Sequence, residues 1–135
     1  MKYKNYCFAI NSYPQALETI NSCINNNIFP IIYIKNFIIQ RMGKEWLIEL
    51  NNLLKEKKFK KNYKLFVDCK KNYGLLIDLI ELKIDFLKTQ ADKNTLKRLK
   101  QIAIKNKVLL NPNFSVVDLS RINNVDRKIV NILTN

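Results

Sequence analysis

Asp68 lies at the end of a short apolar run, Leu65–Cys69, which is followed at once by Lys70 and Lys71. A carboxylate so placed can accept a proton or hold a ligand hydroxyl. Two ammonium groups beside it can receive a small anionic or phosphorylated substrate. The plainer role for Asp68 is to cap the helix that follows. Cys69 has the same lysines near it, a setting that lowers a thiol pKa. It has no base to work with, because the chain contains no histidine. That absence excludes Ser–His–Asp and Cys–His pairs within the chain. It also removes the usual nitrogen ligand of zinc, copper and non-haem iron. Cys7, Cys23 and Cys69 are odd in number and far apart, so they form neither a disulfide framework nor a thiolate metal site. No metal or cofactor is expected. Isolated thiols fit a reducing compartment, the cytoplasm.

Only two glycines occur, Gly43 and Gly74, each before or inside the first turn of an expected helix. Glycine is kept where the backbone needs φ > 0 or a close approach, and a helix start offers free N–H groups to an anion. The alternative is that each serves only a tight turn. Neither G-x-G-x-x-G nor G-x-x-x-x-G-K-S/T is present, which leaves dinucleotide and P-loop sites unsupported.

Alternating elements position these residues. Five short apolar runs read as strands: Tyr6–Ile10, Phe29–Ile34, Leu65–Cys69, Ile84–Leu87 and Val108–Leu110. Near-continuous apolar runs mark strands buried on both faces. Between them the apolar period changes to that of helices. Ala16, Leu17, Ile20, Cys23 and Ile24 stripe Tyr13–Asn25, and Trp46, Leu47, Leu50, Leu53 and Leu54 stripe Lys44–Lys57. Ser12-x-x-Gln15 with Pro14 reads as a capping box for the first helix, and Asp92 as the cap of the fourth. A last helix is expected from about Ser120 to Leu133. Tyr73–Lys83 is apolar over most of its girth, which fits a central helix or a homodimer seam. The loop Lys35–Lys44, with Phe37, Ile38 and Ile39, is either a lid or the start of a longer second helix.

Alternating β and α segments mean right-handed crossovers and parallel strands. The expectation is a single three-layer α/β/α domain, residues 1–135, with a five-stranded, mainly parallel sheet. A closed (βα)8 barrel needs about 250 residues. In such sheets ligands bind beyond the carboxyl ends of the strands. The expected rim holds Asn11 and Ser12, then Lys35, Asn36, Arg41, Gly43 and Lys44, then Asp68, Lys70, Lys71 and Gly74. Lys88, Thr89 and Gln90 follow, with Asn111 and Asn113 around Pro112 at the last strand. Its lysines make it an electropositive edge.

The whole chain carries 24 Lys+Arg against 11 Asp+Glu, a charge of +13. Twenty of those bases are Lys, beside 18 Ile and 19 Asn, the bias of an A/T-rich genome. Such drift decorates solvated faces without a partner, so +13 alone is weak support for nucleic acid. One anomaly is Lys55–Lys64, six lysines in ten residues interleaved with Phe59 and Tyr63. It reads as a solvated connection, with an RNA foot as the alternative. Met1-Lys2-Tyr3-Lys4 is followed by only five mostly apolar residues, too few for a signal sequence. No run approaches the ~20 apolar residues of a membrane span.

The unit FVDCKKNYGLLIDLIEL, Phe66–Leu82, resembles the matching part of the STAS (anti-sigma-antagonist) fold: a strand, a short loop, a glycine and an apolar helix. That family carries a phosphorylatable Ser or Thr just before the glycine, where this chain has Asn72 and Tyr73. The layout as a whole, with M-G-K-E-W at Met42–Trp46, is similar to short bacterial α/β proteins without an assigned activity. The functional expectation is a non-catalytic ligand-binding or interaction module for a small anion. The alternatives are an enzyme using Asp68 with Lys70 and Lys71, and RNA binding through Lys55–Lys64.

Overall fold

The structure is a computed structural model and describes residues 6–57 and 62–134. The chain order is β1 (Tyr6–Ala9), α1 (Tyr13–Asn25), β2 (Pro30–Ile34), α2 (Asn36–Met42), α3 (Lys44–Glu56), β3 (Lys64–Lys70), α4 (Tyr73–Glu81), β4 (Phe86–Thr89), α5 (Lys93–Lys105), β5 (Leu109–Leu110), β6 (Val116–Asp118) and α6 (Val125–Thr134). All strand pairs are parallel, and the sheet order is β5-β4-β3-β2-β1-β6. The parallel α/β architecture therefore holds, with six strands rather than five.

From β1 to β5 every crossover steps the same way along the sheet. Right-handed crossovers that share a direction lay their helices on one face. The side chains agree. Ile10, Ile32, Ile34, Leu65, Val67, Cys69, Leu87 and Leu110 point to one face and pack with α1 through α5. Phe8 and Val117 share that face and pack with Cys23 of α1 and Val125 and Ile129 of α6. The alternate residues Cys7, Ala9, Ile31, Tyr33, Phe66 and Phe86 form a separate cluster on the opposite face, joined among the described residues only by Phe114. The expected three-layer sandwich is thus corrected to two layers, with every described helix on one side.

The step from β5 to β6 runs the other way, and the same handedness sends it over the open face. It has no helix, only the strap Asn111–Ser115. Five strand spacings are about 24 Å, whereas six extended residues reach only about 22 Å. The strap therefore has little slack and the sheet must curl toward it. Phe114 pins it, edge-to-face on Phe86 at 5.0 Å and on Phe66 at 5.9 Å between ring centroids.

Other expectations need revision. Lys35–Lys44 is not a lid: it forms α2, with Ile38 and Ile39 in the core and Phe37 outside. Gly43, at φ 86°, breaks it from α3 in a conformation that favours glycine. The strand within 84–87 starts late, at Phe86, because the Asp85 carboxylate turns to accept the Leu65 N–H at 3.0 Å. The last helix begins at Val125, not Ser120, because β6 and its turn take the preceding residues. Tyr73–Lys83 is a flanked helix: Leu76, Leu79 and Ile80 are buried, and it packs against β3, β4 and α5.

Gln15 locks β6 and α6 into place. Its Nε2 donates to the carbonyls of Leu119 and Ile122, and its Oε1 accepts the Asn11 N–H at 2.8 Å. The expected capping box is thus shifted: Ser12 Oγ accepts from Gln15 N, but Gln15 reaches Asn11 instead of Ser12. Asn11 Nδ2 donates to Ser120 O, and Ser22 Oγ to Asp126 Oδ1 at 2.7 Å.

Candidate functional site

Because the strands are parallel, their carboxyl ends share a rim. Continuing the pairings, open-face positions there run Asn111, Lys88, Asp68, Lys35, Asn11 and Ser120. β4 leaves this rim toward α5 on the helix face, while β5 leaves it into the strap on the opposite face. Neighbouring strands whose connections diverge open a crevice between them. A cavity of about 440 Å³ lies there, lined by Tyr33, Phe66, Lys88 and Thr89 from the sheet and by Asn111–Phe114 of the strap. That volume suits a small molecule.

Local geometry builds its mouth. Asp68 stands opposite Lys88, but Lys70 stands opposite Thr89, so β3 carries one extra residue and bulges. Lys70 turns left-handed, φ 45°, and its carbonyl accepts from Thr89 Oγ1 at 2.6 Å and Gln90 N at 3.0 Å. Asn111 is also left-handed, φ 53°, a conformation Asn tolerates. Its Oδ1 accepts the Thr89 N–H at 2.8 Å and so ties the strap to β4.

Asp68 does not cap the following helix; Asn72 does, accepting from Leu75 N at 3.1 Å. The Asp68 carboxylate accepts the Lys70 N–H at 3.0 Å and the Tyr33 hydroxyl at 3.4 Å. Burial, with the Asp68 charge adding to it, raises the Tyr33 pKa, so this phenol stays protonated. Cys69 departs from the sequence expectation: burial, then the Asp68 charge, push its thiol up to about 12. It also faces the helices, away from the crevice. What the mouth offers a ligand is the Lys88 ammonium and the Asn113 amide, because the Thr89 and Tyr33 hydroxyls donate to Lys70 O and Asp68. These groups bind anions and offer no activated nucleophile. Lys88 is exposed and pairs with no carboxylate among the described residues.

The other expected residues divide. Asn36 is buried and donates to the Asp68 carbonyl at 2.9 Å, holding α2 against β3. Lys70 ends β3 and Lys71 begins the turn after it, both exposed. Asn11 and Ser12 are engaged in docking β6 and capping α1. Lys35 is neutralised by Asp118, and Lys44 pairs with Asp78 at 3.3 Å. Arg41 and Gly43 lie at the far end of α2, about 10 Å of helix from Asn36. Gly74 lies inside α4, where an added Cβ would meet nothing closer than Asn72 Oδ1 at 3.7 Å. The starts of α1, α4 and α5 are capped by Ser12, Asn72 and Asp92. The electropositive edge thus shrinks to Lys70, Lys71 and Lys88. Tyr73, the STAS-like position beside Asn72, gives its hydroxyl to Gln90 O at 2.9 Å.

Tyr33, Phe66 and Phe114 escape a reading of strand ends, which includes Thr89. The first two look like core residues in apolar strands. A signal for the strap existed in Asn111-Pro112-Asn113-Phe114 followed by Val116-Val117, a turn feeding a short β-branched run. Among the described residues no three His, Cys, Asp or Glu side chains gather, and no helix is long and apolar enough to cross a membrane. Compared with protein-family models and with curated proteins, the chain matches none.

Proposed function

We propose that this protein is a non-catalytic binding module for a small anion with a flat or apolar body. The anionic group would sit on Lys88, with the Asn113 amide as a further donor. The body would lie against Tyr33 and Phe66 beneath the strap. The observation that carries this reading is the crevice itself, at the one place where adjacent strand connections part to opposite faces. Phosphate or carboxylate both suit a lysine, and the aromatic floor favours a ring-bearing ligand over a bare ion.

The test is thermal unfolding with inorganic phosphate, ribose 5-phosphate, adenosine monophosphate and benzoate, each at millimolar concentration. A ligand at a hundred times its Kd stabilises by about 2.7 kcal/mol. For a chain of this size that raises Tm by roughly 6–10 °C. Lys88→Met should remove the shift without lowering the unliganded Tm, because its ammonium pairs with no carboxylate among the described residues. A flat Tm with all four compounds sinks the reading.

A further inference from the structure

The charge of this protein is not spread as compositional drift would spread it. Lys2 and Lys4 carry two of the thirteen excess charges, Lys55–Lys64 carries five, and Lys93–Lys107 carries six. Elsewhere ten bases are balanced by ten acids. Drift acting on every solvated face should load the helices alike. Yet α1 has one carboxylate and no base, α3 has two bases and three acids, and α4 has two acids and no base. Only α5 is loaded: four lysines and Arg98, with no carboxylate from Lys93 to Lys105.

Its geometry organises that charge. Leu99 and Ala103 are buried in the core, with Leu96 packed beside them, which turns the rest of the helix outward. Lys93, Lys97, Lys100 and Ile104 follow i, i+4, i+7, i+11, one stripe about 16 Å long. Asn94, Arg98, Gln101 and Lys105 form the adjacent stripe with the same spacing. All eight are exposed, and seven are hydrogen-bond donors. The surface continues past the helix. β4 and β5 are parallel neighbours, so Lys83 and Lys107, both exposed just before their starts, share the amino edge where α5 ends, while Lys64 at the start of β3 lies over the Phe86 ring on the opposite face.

We infer that the outer face of α5, with this amino edge, docks on the phosphate backbone of a nucleic acid. An acid-free, donor-rich face matches a row of anionic oxygens. A bilayer fits less well. An interfacial helix buries its apolar face in lipid, and the apolar face of α5 is already spent on the core. Outward it offers two large apolar residues, Ile104, 74 % exposed, and Ile102, 38 % exposed and off the basic stripe at the margin of the core face. This surface is separate from the crevice, whose residues it does not use.

The test is fluorescence anisotropy with dye-labelled 20-nucleotide RNA and duplex DNA at 50 and 200 mM salt. If about four phosphates are neutralised, duplex affinity should fall about a hundred-fold between those two salts. Lys97→Glu/Arg98→Glu/Lys100→Glu should weaken binding by at least about thirty-fold and flatten the salt slope by about three. Arg121→Glu/Arg127→Glu/Lys128→Glu removes the same charge at the other end of the sheet and should cost less than about three-fold. Should the α5 glutamates unfold the helix by circular dichroism, glutamines at the same positions serve, with a loss of about ten-fold. No binding by the wild type at 50 mM salt overturns the inference. So does equal loss in both triple variants, which would mean attraction to net charge alone. Retention only on vesicles of anionic lipid, lost in the α5 variant, assigns the face to a membrane and equally overturns it.

Discussion

Phe114→Ala is the perturbation that most directly probes the strap. The ring is half-buried and makes two edge-to-face contacts, 5.0 Å from Phe86 and 5.9 Å from Phe66. Truncating a fully buried Phe costs about 3–5 kcal/mol, and each aromatic pair accounts for about 0.5–1.5 kcal/mol beyond area. Half-burial with both pairs lost gives about 2–3 kcal/mol. At roughly 2–4 °C per kcal/mol, Tm should fall by about 5–10 °C. Phe114→Leu refills most of the volume without the edge-to-face geometry and should lose about half as much. The strap also delivers β6 to the edge of β1, where Leu119 N donates to Ala9 O at 2.9 Å. Hydrogen exchange at Leu119 should therefore quicken in Phe114→Ala by more than at Val67, in the sheet centre. A Tm within 2 °C of wild type would refute the claim that one ring pins the strap on this face. So would uniform acceleration at both amides, because it would mean the strap has no local hold on β6.

Three further outcomes follow from buried or paired groups. Gln15→Leu keeps the volume but leaves the Asn11 N–H without its partner, at about 1–3 kcal/mol, and takes one donor each from the Leu119 carbonyl, which keeps Ile122 N, and the Ile122 carbonyl, at about 0.5–1.5 kcal/mol each. Chemical denaturation should show a loss of about 2–4 kcal/mol, and a loss under about 1 would mean water replaces the amide. The thiols of Cys7, Cys23 and Cys69 are fully buried and pushed up to about 12 by burial. A thiol reagent at pH 8 should titrate none in the native protein and three in denaturant, and fast reaction of any one in the native state contradicts the core placement. Asp118 is opposed by its own burial, yet hydrogen bonds from Lys35 and Ser120 hold its carboxyl down at about 2. Its folded pKa lies below the ordinary value near 3.9, so its contribution is full above about pH 5 and fades as pH falls toward 2. The side chain is half exposed, which limits the effect to under about 1 kcal/mol. Asp118→Asn should be less stable than wild type at pH 6 and equal to it at pH 2; a constant difference across that range would exclude the linkage.

Local periodicity made most of the elements legible. Strands with few polar interruptions and helices with a clean apolar stripe fell within a few residues of their places, because burial on one or two sides imposes period two or 3.6 directly on side chains. Layer count was not written in that way. The apolar residues at Cys7, Ile31, Tyr33 and Phe66 suggest helices on the second face, but a single aromatic cluster covers it. Strand order decides this, and order is a long-range property: placing β6 beside β1 depends on Gln15 and Phe114, each bonded across about a hundred or a few tens of residues. The site was legible only as a set of strand ends. Lys35 and Lys88 look alike in the sequence, yet one meets Asp118 and the other no described carboxylate. A one-residue bulge in β3 set the Thr89 and Lys70 contacts, and no pattern announced it.

One topological fact links the crevice to the basic surface. Four same-direction crossovers put all five intervening helices on one face and leave the return stroke alone on the other. That return must leave the last strand of the series, so the parting of connections falls at the β4–β5 edge and nowhere else along the sheet. The same edge carries α5, which has a neighbouring helix on one flank only and so presents more surface than α3 or α4. The carboxyl end of this edge therefore holds the aromatic cleft, and its helix face and amino end hold the cations. Lys88→Met and the α5 charge reversals act on opposite sides of β4 and should leave each other's readout unchanged: small-anion stabilisation intact in the α5 variant, oligonucleotide affinity intact in Lys88→Met. If either substitution abolished both, anions and oligonucleotides would be meeting one continuous surface, and the division of this edge into two sites would have to be abandoned.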